Sequence, residues 1–188
     1  LAAIYEREFE EMWSDEFGPT SSSTLGQQTV TVNGTPIRAL FAPEDEVVAQ
    51  LAPLIKSAQS SIRFMAFSFT HDTLGDAVLS RANANVDVRG IFETRGSETE
   101  YSEMPRLYCA DVPVRQDGNP GTFHHKAFVI DEKIVVTGSL NFSNNADESN
   151  DENVLIITNA DIAAHYLAEF EARWAEAEPP DPADMNCK

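Results

Sequence analysis

Apolar and polar positions alternate along this chain in two periods. Between residues 1 and 13, Leu1, Ile4, Tyr5, Phe9, Met12 and Trp13 fall on one stripe at helical spacing, which predicts an amphipathic helix. Thr29–Val32 and Ile37–Phe41 read as two strands around Asn33-Gly34, a strong short-range hairpin signal. Residues 44–59 read as a helix after an acidic first turn, with a bend expected at Pro53. Residues 61–69 are apolar almost without interruption, so this strand is expected to be covered on both faces. A helix over 72–83, a strand over 86–92 and a polar loop or short helix over 93–105 follow. Residues 107–114 lead through a turn-rich segment, 115–121, to paired strands over 123–130 and 134–137. A polar loop over 142–150, a strand over 152–157 and a helix over 161–177 complete the pattern. Strands alternating with helices predict an α/β class, a mixed β-sheet sandwiched between helices.

The last helix has a twin. Ile162 to Trp174 (IAAHYLAEFEARW) repeats Leu1 to Trp13 (LAAIYEREFEEMW) with Ala, Ala, Tyr, Glu, Phe, Glu and Trp in matching places. Seven such matches predict that residues 1–16 are the closing helix of an upstream copy. In that division residues 17–27 are a linker, 28–178 a half-domain and 179–188 an acidic, proline-containing tail expected to be disordered.

Composition narrows the function classes. With 42% hydrophobic residues the chain is globular, and no apolar run approaches a membrane span. A targeting peptide is either absent or outside this sequence. The net charge of −18 opposes nonspecific binding of nucleic acid, which neutralises several phosphates with Lys and Arg. The acidic runs read as a solvated, salt-adapted surface. Cys109 and Cys187 form no CxxC pair and read as one partly buried thiol and one tail thiol.

Chemistry concentrates in FHHKAFVIDEKIVVTGSLN, residues 123–141. On a strand, His124 and Lys126 share one face while His125 points to the other. Asp131-Glu132-Lys133 reads as a tight reversal, so the returning strand brings Gly138, Ser139 and Asn141 back towards His124. Glycine at 138 allows close backbone approach, and Ser139 and Asn141 offer donors to phosphate oxygens. None of these is a strong metal ligand. A metal site built on His124-His125 and the acidic loop at 147–152 is disfavoured, because adjacent strand residues point apart and the loop lacks EF-hand spacing.

The spacing of His124, Lys126, Asp131, Gly138, Ser139 and Asn141 resembles the HKD motif of the phospholipase D superfamily. Residues 61–70 and 87–93 look like the core strands of that family. The resemblance implies an α-β-α sandwich with one motif per chain and a phosphodiesterase that hydrolyses or transfers a phosphodiester through a phosphohistidine. It implies no metal and no cofactor. His124 is then one of two catalytic histidines, with Lys126 and Asn141 as phosphate ligands and Ser139 as a supporting donor. Glu152 is the acidic residue that fixes the tautomer of His124. Asp131, carried away from His124 by strand geometry, is expected to be structural.

The chain departs from a complete site in holding a single motif. His71, His125 and His165 lack the accompanying lysine and Gly-Ser-x-Asn, and His71 is expected to hydrogen-bond locally at a helix start. The second histidine must come from an upstream repeat or from a homodimer partner. A phospholipid or related phosphodiester is the favoured substrate. The alternatives are a single-motif nuclease acting on DNA or RNA, and an inactive half that binds only phosphate or its partner half.

Overall fold

The computed structural model describes residues 1–20 and 28–187, so most of the segment expected to be a linker lies outside the described residues, as does Lys188. Eight strands form one mixed sheet: β1 (Gln28–Val32), β2 (Thr35–Ala42), β3 (Ser61–Ala66), β4 (Asp87–Phe92), β5 (Val114–Gln116), β6 (Lys126–Ile130), β7 (Ile134–Gly138) and β8 (Glu152–Thr158). Their order is β1-β2-β8-β7-β6-β3-β4-β5. The β3-β4-β5 ladder is parallel and the remaining pairs are antiparallel.

Helices α2 (Val47–Lys56), α3 (Asp72–Ala82) and α4 (Glu103–Cys109) pack one face through Leu51, Ile55, Leu74, Val78 and Leu107. Helices α1 (Ala2–Trp13) and α6 (Ala160–Glu176) cover the other through Ile4, Ala163 and Phe170. A short α5 (Asn144–Glu148) stands where the polar composition predicts a loop, and Ser143 Oγ caps it by accepting from Ala146 N. β3 is buried at every position, as its unbroken apolar run requires. No described helix is long and apolar enough to cross a membrane.

Three local expectations are revised. α2 is shorter than the expected 44–59, running from Val47 to Lys56 with Pro53 inside it. Its first turn has no local cap; Asp147, far along the chain on α5, accepts from Val48 N at 2.9 Å instead. Parts of the acidic runs therefore serve as backbone acceptors as well as surface, and Asp45 and Asp151 do the same for Phe41 N and Gly18 N.

The third revision concerns the tail. Residue 178 pairs with Gln116 across an antiparallel bridge, Met185 is buried, and Cys187 is disulfide-bonded to Cys109. The tail is thus docked, and neither cysteine is a free thiol. Composition alone points to disorder because the anchoring partners lie about 60 to 80 residues upstream, outside any local window.

Candidate active site

The predicted site residues meet at one end of the central strands. Lys126 opens β6 opposite Ala66 at the end of β3, while Gly138 closes β7 opposite Val154 near the start of β8. Two loops leaving this edge are sewn together, since Thr70 N and His71 N both donate to Phe142 O and Phe142 N donates to Ser68 O. Behind them Phe69, Phe128 and Phe142 pack edge-to-face or tilted at 4.7 to 6.0 Å between centroids. Apolar packing thereby fixes where the segment carrying Ser139 and Asn141 emerges.

His124 lies just before β6 rather than within it, yet it keeps company with Lys126: Nζ stands 3.1 Å from its Nε2 and 3.2 Å from its backbone oxygen. With the ammonium as donor, the Nε2 lone pair accepts that bond, so the two groups are engaged with each other. Phe67 supports both groups, its ring edge-on to the imidazole at 4.5 Å and 5.0 Å from Nζ. His124 is exposed while Lys126 is buried, and burial holds the lysine pKa below its ordinary value against the opposing pull of Glu152. His125 turns to the other face as alternation demands. It packs on Phe123 and lies 3.4 Å from Glu169 of α6, with burial lowering its pKa.

Ser139 Oγ accepts from Asn153 N at 3.0 Å and from Asn153 Nδ2 at 3.2 Å. The Asn153 amide is itself oriented by Tyr5, whose hydroxyl donates to Oδ1 at 3.0 Å. Gly138 is required by packing, because a Cβ there would stand 2.0 Å from Asn153 O. Asn141 Oδ1 is buried without a hydrogen-bond partner among the described residues.

Glu152 sits at the same edge, where its charge acts on Lys126 and its Oε1 accepts from Asn150 Nδ2 at 3.2 Å. The hydrogen bonds of the described residues include none between Glu152 and His124. Asp131 is placed at the opposite end of the hairpin. Its carboxylate accepts from Gln59 N, Ser60 N, Ser60 Oγ and Ser61 N, which fixes the start of β3 and holds its pKa down. His71 caps α3 by accepting from Thr73 N, and His165 lies exposed on α6.

An exposed imidazole and a buried ammonium against it stand at the sheet edge from which the segment carrying Ser139 and Asn141 emerges, the candidate cradle for a phosphoryl group. Residues 51–174, more than half of the chain, match the family described as "Cardiolipin synthase, PLD-like domain". The chain belongs to the phospholipase D superfamily. It is 36% identical to the mitochondrial cardiolipin hydrolase of Xenopus tropicalis over 135 residues, 72% of this chain and 64% of that protein. It is 30% identical to a phospholipase D of Rickettsia bellii over 139 residues, 74% of this chain and 69% of that protein. Among solved structures, the phospholipase D family member Nuc from Salmonella typhimurium superposes with a TM-score of 0.69 at 28% identity, covering 77% of this chain and 97% of that one. The chain thus spans less than two thirds of the length of the Xenopus relative.

Membership in the phospholipase D superfamily accounts for the motif spacing, but not for every residue that shapes the cradle. Phe67, Asn153 and Tyr5 were not legible as site residues. Phe67 reads as one more apolar residue of a buried strand, and Tyr5 acts on Asn153 across 148 positions of sequence.

Proposed function

We propose that this chain is one half of a phospholipase D-type phosphodiesterase, in which His124 attacks phosphorus and a second, symmetry-related histidine protonates the departing alkoxide. One imidazole cannot be nucleophile and general acid in the same step, so two are needed. In the first step an N–P bond forms at His124 Nε2 as the P–O bond to the leaving alcohol breaks. In the second, water or an alcohol attacks phosphorus as the second histidine, neutral after the first step, takes its proton, and the N–P bond breaks with its electron pair returning to the ring. Lys126 and Asn141 hold the non-bridging oxygens, Ser139 adds a donor and the charge of Glu152 keeps Lys126 protonated. Asp131 secures the hairpin and takes no part in the chemistry.

The observation that carries this reading is the 3.1 Å approach of Lys126 Nζ to Nε2 of an exposed His124, which keeps the nucleophile and the cation side by side. Two observations bear on the source of the second set. Nuc is covered over 97% of its length by 77% of this chain, so a fold of this extent occurs as a whole chain, and a twofold dimer of it would bring two copies of His124 together. The helix repeat favours an upstream copy. Phe9 and Trp13 of α1 stack at 5.8 Å and 24°, as Phe170 and Trp174 of α6 stack at 5.6 Å and 21°. Phe170 is fully buried under its sheet while Phe9 is 60% exposed, like a closing helix without its own sheet.

A phospholipid or related phosphodiester suits the −18 charge better than a nucleic acid does. The test sets solution mass beside turnover of a fluorogenic phosphodiester, a phospholipid vesicle and a single-stranded oligonucleotide. A dimer active on the first two supports the proposal. Activity confined to the oligonucleotide supports a nuclease, and a monomer without turnover supports a phosphate-binding half.

A further inference from the structure

His124 precedes β6, so its place depends on what holds the residues on either side of it. After it, His125 O accepts from Phe67 N at 2.7 Å. Before it, Phe123 N donates to Glu93 Oε2 at 2.5 Å. Phe67 and Glu93 are the first residues beyond β3 and β4, whose last residues, Ala66 and Phe92, are paired in the parallel ladder. The two clamps therefore stand side by side at the sheet edge where Lys126 opens β6.

Glu93 is itself held. Its N donates to Ala66 O at 2.9 Å, and both its neighbours are tied to Asp117, whose N donates to Phe92 O at 2.8 Å and whose carbonyl accepts from Thr94 Oγ1 at 2.7 Å. The carboxylate spans two segments, since Oε1 accepts from Arg95 N at 3.2 Å while Oε2 holds Phe123. Glu93 and Phe123 are both buried, so an acceptor drawn away from Phe123 N leaves a donor that water does not readily satisfy. The bond is to the main chain, one residue from the imidazole it locates.

We propose that Glu93 is a positioning residue for His124: resting on the phosphodiesterase reading above, its grip on Phe123 N sets the backbone from which the imidazole meets phosphorus. Displacing a nucleophile by about 1 Å costs on the order of 100-fold in rate. The requirement is for reach rather than charge, because a backbone N–H needs an oxygen at hydrogen-bond distance, ionised or not.

Two variants separate reach from charge. Glu93→Gln keeps an accepting oxygen at full length and loses the charge, while Glu93→Asp keeps the charge and draws both oxygens back by one methylene. With a small chromogenic phosphodiester, Glu93→Asp is expected to lower kcat by about 10- to 100-fold with KM within about threefold, and Glu93→Gln to stay within about fivefold of wild type. Histidine ring NMR signals supply a readout that needs no turnover. Those of His124, identified by their loss in His124→Asn, carry the ring current of Phe67, 4.5 Å away between centroids. They should move in Glu93→Asp and hold in Glu93→Gln, while those of His71 and His165 stay fixed in both. Thermal melts establish that each variant is folded. Unmoved His124 signals in Glu93→Asp, or a Glu93→Gln variant that loses as much rate or shifts as far as Glu93→Asp, overturns the proposal. Proteins without turnover whose His124 signals follow the expected pattern remove only the phosphodiesterase reading. An active enzyme whose rate and His124 signals ignore both substitutions removes only this one.

Discussion

Asn153 donates twice to Ser139, from its backbone N–H and from its side-chain amide, and both bonds end on the same Oγ. A hydroxyl that accepts two hydrogen bonds has used its lone pairs, so its own hydrogen is left to donate. In the proposed function that hydrogen is the one offered to a phosphate oxygen. Ser139→Ala is therefore expected to lower kcat/KM for a small phosphodiester by about 10- to 100-fold and, because both Asn153 donors lose their acceptor, to lower the melting temperature by a few degrees. Steady-state kinetics beside a thermal melt checks both halves of the expectation.

Lys126 gives a pH-dependent prediction. Burial lowers its pKa and the charge of Glu152 raises it, so the ammonium is lost as pH rises through a value below the ordinary lysine range. The rate must fall on that alkaline limb. Glu152→Gln removes the raising influence and moves the limb to lower pH, whereas Lys126→Met removes the limb and about 10²- to 10³-fold of the rate. A pH–rate profile of the three proteins decides it.

The hairpin geometry was legible because it is local. Alternation along β6 placed Lys126 beside His124 and sent His125 away, and the tight turn at 131–133 returned Ser139 and Asn141 to the same edge. What stayed hidden depends on distant partners. Asp147 caps a helix 99 positions earlier, Tyr5 orients an amide 148 positions later, and Cys187 reaches back 78 positions to Cys109. Periodicity reports which face a residue occupies but not which remote group it meets, so α5 read as a loop and the tail as disordered.

Asp131 separates structure from chemistry within the motif. Its four donors are three backbone amides and one hydroxyl at the entry to β3, so Asp131→Asn is expected to cost about 1–2 kcal/mol of stability while retaining turnover. Because its pKa is lowered in the folded state, the stabilisation is present above the ordinary carboxylate range. It is lost as pH falls below that range through the depressed value. Denaturant melts at pH 7 and in acid should show the wild-type advantage shrinking as the medium becomes acidic.

The disulfide closes a sequence separation of 78 residues and ties the tail to α4. Restricting a loop of that length stabilises the fold by about 4 kcal/mol in the chain-entropy description. Cys187→Ser is expected to lower the melting temperature by about 10 °C and to leave the phosphoryl cradle intact. A melt with and without reductant checks this, since reductant should bring wild type to the variant's value and leave the variant unchanged.

The central claim is that the His124 imidazole is the group that meets phosphorus. Turnover of a small chromogenic phosphodiester by dimeric wild-type protein and by dimeric His124→Asn, at matched concentration, tests it most directly. The account predicts that the asparagine variant keeps its fold and loses at least about 10³-fold of the rate. A folded His124→Asn dimer within about tenfold of wild type contradicts it.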